Sequence, residues 1–209
     1  FQQALEFSQE RRQGRAVWST DYPADIYAHP DVRRMLLLMK AKTEAARAIC
    51  LTTGVLADLA RLADTEDERA AAKARAELLT PIAKAWSTDV GVEVASLGVQ
   101  VHGGMGFIEE TGAAQHYRDA RIAPIYEGTN GIQAIDLVGR KVAMADGAVM
   151  RDLCAELALT AESLTEVPEL TSVGRRLAAG VAALERATDW LLANRGAPSL
   201  AAATPYLKL

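Results

Sequence analysis

Ile122-Ala123-Pro124-Ile125-Tyr126-Glu127-Gly128-Thr129-Asn130-Gly131-Ile132-Gln133 sets one carboxylate, Glu127, between an apolar run and a turn of glycines and small polar residues. Apolar residues at helical spacing begin directly after it, at Ile132. The carboxylate therefore stands at the mouth of a helix, where the first backbone N–H groups lack intrahelical partners. A second glycine cluster, His102-Gly103-Gly104-Met105-Gly106-Phe107, breaks the helical pattern a short way upstream. Long helical stretches interrupted by such turns point to an all-α protein, with an antiparallel helical bundle as the default arrangement. No window alternates with period two over β-branched residues, so no strand is expected.

Upstream of the glycine cluster, a helical pattern runs from Glu66 to Gly103. Ile82, Trp86, Val90, Val94, Leu97 and Val101 form its apolar stripe, and Ala83, Ala85, Gly91, Ala95 and Gly98 beside it admit a close neighbour. Pro81 is expected to kink the pattern or restart it after Thr80. The acidic turn Asp64 to Glu68 reads as solvated surface and the first turn of this helix. The longest clear helix starts at His29-Pro30-Asp31 and runs to about Ala63. Leu38, Ala41, Ala45, Ala48, Ile49, Thr52, Val55, Leu56, Leu59 and Leu62 keep its steps of three and four. An amphipathic helix from about Ala4 is expected to end at Gly14. Gly14 to Pro30 is then a loop, pinned to the body by Trp18, Tyr22 and Tyr27.

Toward the C-terminus, Ala113 to Arg121 is a short helical piece. A helix from Ile132 to about Ala145 follows, with Ile132, Ile135, Val138 and Val142 inward. Ala148 to Leu164 and Ser172 to Ala193 are two more, and Leu177, Val181, Leu184 and Leu191 face one way in the second.

A chain of 209 residues, 50% apolar and 24% charged, is ample for one large domain or one domain plus an appendage. A net charge of -4 argues against a nucleic-acid partner. No apolar run is long enough to cross a bilayer. Cys50 and Cys154 lie in separate helical patterns without metal-ligand spacing and read as reduced core thiols of a cytoplasmic protein. The chain opens at Phe1 inside a helical pattern and closes at Leu209 just after Pro205-Tyr206-Leu207, with no finished tail. It reads as a fragment cut at both ends, with any targeting signal out of sight.

Glu127, among Ile122, Pro124, Ile125 and Tyr126, has the setting of a carboxyl whose pKa is raised by desolvation, a base for a proton next to a carbonyl. Gly128 lets a ligand approach the backbone, whose N–H can hold an oxyanion. The alternative is a helix-terminal glutamate that complements the helix dipole, and local chemistry by itself favours it. The Gly103 to Gly106 loop is either a backbone cradle for a phosphate or ring system or a tight helix connection. It follows a helix and lacks the spacing of the dinucleotide and P-loop signatures. His29, His102 and His116 are far apart and beside no second ligand type, so no metal site is expected. Arg118-Asp119-Ala120-Arg121 reads as a structural ion-pair cluster. Arg11-Arg12 and Arg33-Arg34 read as solvated charges, with anion binding the sharper alternative for Arg11.

In combination, Tyr126-Glu127-Gly128-Thr129, Arg118-Asp119-Ala120-Arg121-Ile122 and Gln100-Val101-His102-Gly103-Gly104-Met105-Gly106-Phe107 resemble the C-terminal half of an acyl-CoA dehydrogenase, in order and spacing, along roughly Leu5 to Met144. The wording Gly128-Thr129-Asn130-Gly131-Ile132-Gln133-Ala134 and the helices after Asp146 resemble most the long-tailed branch of that family that includes 3-(methylthio)propionyl-CoA dehydrogenase. The resemblance implies a helical bundle over residues 1–146 and a helical extension over 147–209. Both would come from a flavoprotein of fatty acid metabolism whose other parts are N-terminal helices and a middle β-domain. Glu127 would remove the α-proton of an acyl-CoA thioester while the β-hydrogen leaves as hydride to flavin N5. The N–H of Glu127, with a flavin ribityl hydroxyl, would polarise the thioester carbonyl, and Gly128 would line the acyl-CoA site. Arg11, His29, Thr129 and Asn130 would meet FAD, and Gln100, Val101, His102, Gly103 and Gly104 the FAD of a neighbouring subunit of a homodimer or homotetramer. The implied electron acceptor is an electron-transferring flavoprotein. The fragment alone, without the β-domain, is expected to be inactive and to bind FAD weakly. An acyl-CoA oxidase or other flavin enzyme of the same fold, or a non-catalytic helical interaction module, are the alternatives. The chain departs from the family's usual pattern in lacking a Phe before Gly14, in Pro30 after His29, and in Gly131.

Overall fold

The computed structural model describes residues 1–209. Ten α-helices follow one another: α1 (Gln2–Glu10), α2 (Pro30–Leu62), α3 (Glu66–His102), α4 (Gly104–Phe107), α5 (Ala113–Ala120), α6 (Asn130–Asp136), α7 (Ala148–Glu166), α8 (Thr171–Ala193), α9 (Ala197–Ala201) and α10 (Ala203–Leu207). Between α6 and α7 lie a π-helical turn, Leu137–Lys141, and a 3-10 turn, Met144–Gly147. There is no strand, only one isolated antiparallel bridge between Arg12 and Asp25. The all-α expectation holds, and no helix is long and apolar enough to cross a membrane. The chain divides into two compact units: Phe1–Cys50 with Trp86–Glu127, and Leu51–Ala85 with Gly128–Leu209.

In the first unit, Ala4 of α1, Met35, Leu36 and Met39 of α2 and Val101 of α3 form the core, with Val32, Val94 and Leu97 against it. The stripe expected on α3 thus faces inward. α1 stops at Glu10, four residues before the expected Gly14, because Arg11 turns extended and pairs with the returning chain. Ile26 N donates to Arg11 O at 2.8 Å, Gln13 N to Ala24 O at 2.8 Å, and Ala24 N to Gly14 O at 3.0 Å. Gly14, at φ +69, makes the bend in this loop instead of capping the helix. Trp18 and Tyr22 are not held by burial, being 64% and 70% exposed; Ala16 and Ala24 are the buried residues of the loop. The aromatic rings instead receive guanidinium groups, Arg33 over Trp18 and Tyr27 and Arg15 over Tyr22.

The apolar stripe read for α2 is not its buried face. Ala41, Ala45, Ala48, Thr52, Val55, Leu59 and Leu62 are all exposed. The helix is apolar on more than one side, and one side only is covered in this chain. Cys50 is likewise exposed, with its Sγ 3.5 Å from Ser87 Oγ, so of the two thiols Cys154 alone is in a core.

In the second unit, α3 begins with a reciprocal cap: Thr65 N donates to Glu68 Oε2 at 3.1 Å and Glu68 N to Thr65 Oγ1 at 3.2 Å. These bonds hold the Glu68 carboxyl below its ordinary range. α3 then continues through Pro81 without a break. The proline ring is completely buried, and that burial compensates for the missing N–H. Leu78 and Ala85 of α3 pack with Leu137, Val138 and Val142, with Met150 and Cys154 of α7, and with Val181 and Leu191 of α8. Ile132 and Ile135, expected inward, are exposed, and Ala134 and Leu137 take the inner face instead. The π turn, closed by Val142 N to Leu137 O at 2.9 Å, inserts one extra residue before Val142.

α7 and α8 form a hairpin across Pro168–Leu170. They meet so closely at Gly174 that an added Cβ would stand 2.7 Å from Ala161 O and 2.8 Å from Thr165 N. The last helix belongs to the same core. Ala203, Tyr206 and Leu207 of α10 are buried in this core, and the Tyr206 hydroxyl bonds Thr188 Oγ1 at 2.8 Å.

Two stability tests follow from this packing. Gly174→Ala should destabilise the chain by about 1–3 kcal/mol because backbone atoms cannot yield to the methyl group. Gly180→Ala, with nothing within 4 Å, should instead gain up to about 1 kcal/mol of helix propensity. Chemical denaturation of both variants checks the pair. Burial pushes Tyr206 up to about 12, so in the folded chain it ionises later than in the unfolded chain. The corresponding stability, roughly 2 kcal/mol, should be complete below pH 10 and lost as pH rises through about 12. Tyr206→Phe should flatten that alkaline loss in parallel denaturation series.

Candidate active site

Ile122 O accepts from Ile125 N at 2.9 Å and from Tyr126 N at 3.1 Å, which coils the chain into a turn before Glu127. Glu127 then lies at φ +52 and Gly128 at φ +87. Glycine adopts such a backbone freely; a glutamate there is uncommon and costs about 1 kcal/mol or more. Thr129 caps α6, its Oγ1 accepting from Ile132 N at 3.3 Å. The side chain of Glu127 is exposed. Its apolar neighbours do not enclose it, as Ile125 and Tyr126 are each 51% exposed. The desolvated setting expected from sequence is therefore not supplied by this chain.

The start of α6 is tied to α3 inside the second unit. Lys84 Nζ donates to Gly128 O at 2.8 Å and to Asn130 Oδ1 at 3.0 Å, and Asn130 Nδ2 donates to Ala85 O at 2.9 Å. Asn130 thus turns its amide toward α3. Sequence reasoning passed over Lys84, because its partners lie 44 and 46 positions away in the chain. Gly131 has room for a methyl group, its nearest contact being Thr129 Oγ1 at 3.7 Å, so no steric demand explains a glycine there.

The first unit holds an open cleft of about 600 Å³. Six residues singled out from sequence line it together: Arg11, His29, Val101, His102, Gly103 and Gly104. Gln100 is exposed and outside this lining, as are Glu127, Gly128, Thr129 and Asn130. Phe7 and Gln13, which sequence reasoning did not single out, belong to it. Phe7 stacks on His102 with ring centroids 4.4 Å apart, and His102 Nδ1 donates to Gly98 O at 2.7 Å. His29 Nε2 donates to Gln13 O at 2.8 Å. Which arginine faces the cleft is decided by ion pairing. Arg12 is taken by Asp21 at 3.1 Å and Asp25 at 3.2 Å, and Arg11 has no such partner.

The glycines divide their work. Gly106 is required because a Cβ would stand 2.3 Å from Val99 O, and Gly103 because of its φ of +60. Nothing lies within 4 Å of a Cβ position at Gly103 or Gly104, so a ligand can reach this backbone. The ion-pair cluster after it is centred on Arg118, which meets Glu109 at 3.1 Å and Gln115 Oε1 at 2.7 Å.

A family model described as "Acyl-CoA dehydrogenase, C-terminal domain" matches residues 1–143. The 3-methylmercaptopropionyl-CoA dehydrogenase of Ruegeria pomeroyi is 47% identical over 214 residues, which cover 100% of this chain and 36% of that protein. A butyryl-CoA dehydrogenase of Syntrophomonas wolfei is 39% identical over 155 residues, 74% of this chain and 25% of that protein. The chain accordingly spans about a third or less of the length of these curated relatives. An acyl-CoA dehydrogenase complexed with FAD from Bacillus anthracis superposes with a TM-score of 0.56 at 22% identity, covering 98% of this chain and 40% of that one, which is a likeness of fold.

The strained backbone at Glu127 yields a test on the chain itself. Glu127→Gly should relieve the left-handed residue and leave stability unchanged or raised by up to about 1 kcal/mol. A loss larger than that in denaturant unfolding would show that side-chain contacts hold Glu127.

Proposed function

Because the chain belongs to the acyl-CoA dehydrogenase family, we propose that it is the C-terminal part of a FAD-dependent acyl-CoA dehydrogenase in which Glu127 removes the α-proton of an acyl-CoA thioester. The observation that carries this reading is the left-handed backbone of Glu127, which sets an exposed carboxylate at the mouth of α6. Backbone strain of this kind collects at functional sites, where a side chain must be aimed. The carboxylate accepts the proton, the N–H of Glu127 donates to the thioester carbonyl as negative charge builds on its oxygen, and Gly128 leaves room for the thioester.

The residues of the first-unit cleft suit FAD. Arg11 offers a guanidinium without an ion-pair partner for the pyrophosphate, Gly103 and Gly104 offer bare backbone, and His29 and His102 offer ring edges. Gln100 and Val101, with His102, Gly103 and Gly104, are assigned to the FAD of a neighbouring subunit, and Thr129 and Asn130 to FAD at the start of α6. When bound, FAD supplies the acceptor for the β-hydrogen, which leaves as hydride. The electrons then pass to an electron-transferring flavoprotein, and the protein assembles as a homodimer or homotetramer; both follow from the family alone. The unpaired cysteines support a reducing compartment, the cytoplasm. The family bundle is assigned to residues 1–146 and a helical extension to 147–209, in keeping with a family match that ends at residue 143.

In the full-length protein, Glu127→Gln should cut the rate at which acyl-CoA bleaches the flavin by roughly 10²- to 10⁴-fold, measured by stopped-flow absorbance. Bleaching at the wild-type rate would overturn the assignment.

A further inference from the structure

The turn that carries Glu127 is held from behind by a side chain that the proposed chemistry does not use. Gly128 has no side chain to restrain it, and a left-handed Glu127 persists only where its surroundings fix it. Upstream, the two bonds to Ile122 O provide that restraint. Downstream, the carbonyl of Gly128 and the amide of Asn130 both close on the ammonium of Lys84, and Asn130 closes again on the carbonyl of Ala85. Two adjacent positions of α3 therefore grip the turn at Gly128 and Asn130, on either side of Thr129. Helix electrostatics does not explain the cation. At the start of α6 the helix dipole favours negative charge, so an ammonium there is placed against the dipole. Its geometry matches the carbonyl and amide oxygens of the turn instead.

We propose that Lys84 is a positioning residue for the base: by holding Gly128 and Asn130 it fixes the backbone from which Glu127 projects. The proposal rests on Glu127 being the base. With Lys84 replaced by methionine, the Gly128 carbonyl loses its charged donor and Glu127 spreads over several orientations. Productive alignment is lost, and binding of the rest of the acyl-CoA is not. The signature is a fall in kcat with KM preserved, joined to local loosening of the turn.

The test uses the full-length, FAD-loaded protein. Lys84→Met should lower kcat by roughly 10- to 100-fold while KM for acyl-CoA stays within about threefold, and Lys84→Arg should recover part of kcat. Amide hydrogen exchange from Gly128 to Gln133 should accelerate by about tenfold or more in Lys84→Met, with the α7–α8 hairpin unchanged. Where Lys84→Met does not fold, Lys84→Gln is read the same way. Wild-type kcat together with wild-type exchange at the turn overturns the proposal, and so does loosening spread over the whole second unit. Glu127→Gln, run in parallel, separates the two assignments. Full turnover in that variant sinks the role of Glu127, whereas its loss beside an undisturbed Lys84→Met sinks only the role of Lys84.

Discussion

The element on which most of the structure depends is α3, a single unbroken helix of 37 residues. Its N-terminal part contributes Leu78 and Ala85 to one core, and its C-terminal part contributes Val101 to another. Lys84 holds the turn after Glu127, and His102 with Gly103 closes the helix at the cleft. A helix that must serve these positions has to survive Pro81. It does so because the ring is completely buried, and burial of that size outweighs one absent backbone hydrogen bond. Lys141 adds a further tie by pairing with Glu77 at 3.0 Å, which holds the Glu77 carboxyl below its ordinary range.

The two glycine-rich breaks have different physical origins. At Gly106 the absence of a Cβ lets α4 lie on the carbonyl of Val99, a packing demand, and at Gly103 the backbone itself is left-handed. At Gly128 the same left-handed conformation continues from a glutamate, which has no steric licence for it. The first break is comfortable, and the second is strained and has to be held.

Much of the chain was legible because helical periodicity is a local property. The extents of α2, α7 and α8 follow the pattern to within a residue or two, and the acidic turn before α3 proves to be a reciprocal cap between Thr65 and Glu68. Which side of a helix is covered was less legible. α2 is apolar on more than one side, and periodicity does not say which side finds a partner; Met35, Leu36 and Met39 do, and Val55, Leu59 and Leu62 do not. Likewise the spacing of Ile132, Ile135 and Val138 assumes a regular helix, and the π turn at Leu137–Lys141 breaks that assumption. The burial of Tyr206 was not legible, because its partner, Thr188, is 18 positions away.

By itself the sequence determined the all-α class, the limits of α2, α7 and α8, the family, and the candidate residues around Glu127 and Gly103. These rest on local propensity and on motif order, both carried by neighbouring residues. Only the tertiary structure decided that Arg11 rather than Arg12 faces the cleft, that Glu127 stands exposed on left-handed backbone, and that Lys84 grips the turn behind it. Each of these depends on groups brought together from distant positions. Asp25 claims Arg12 across a loop, and Gly128 meets Lys84 across 44 residues, so no local pattern could carry either.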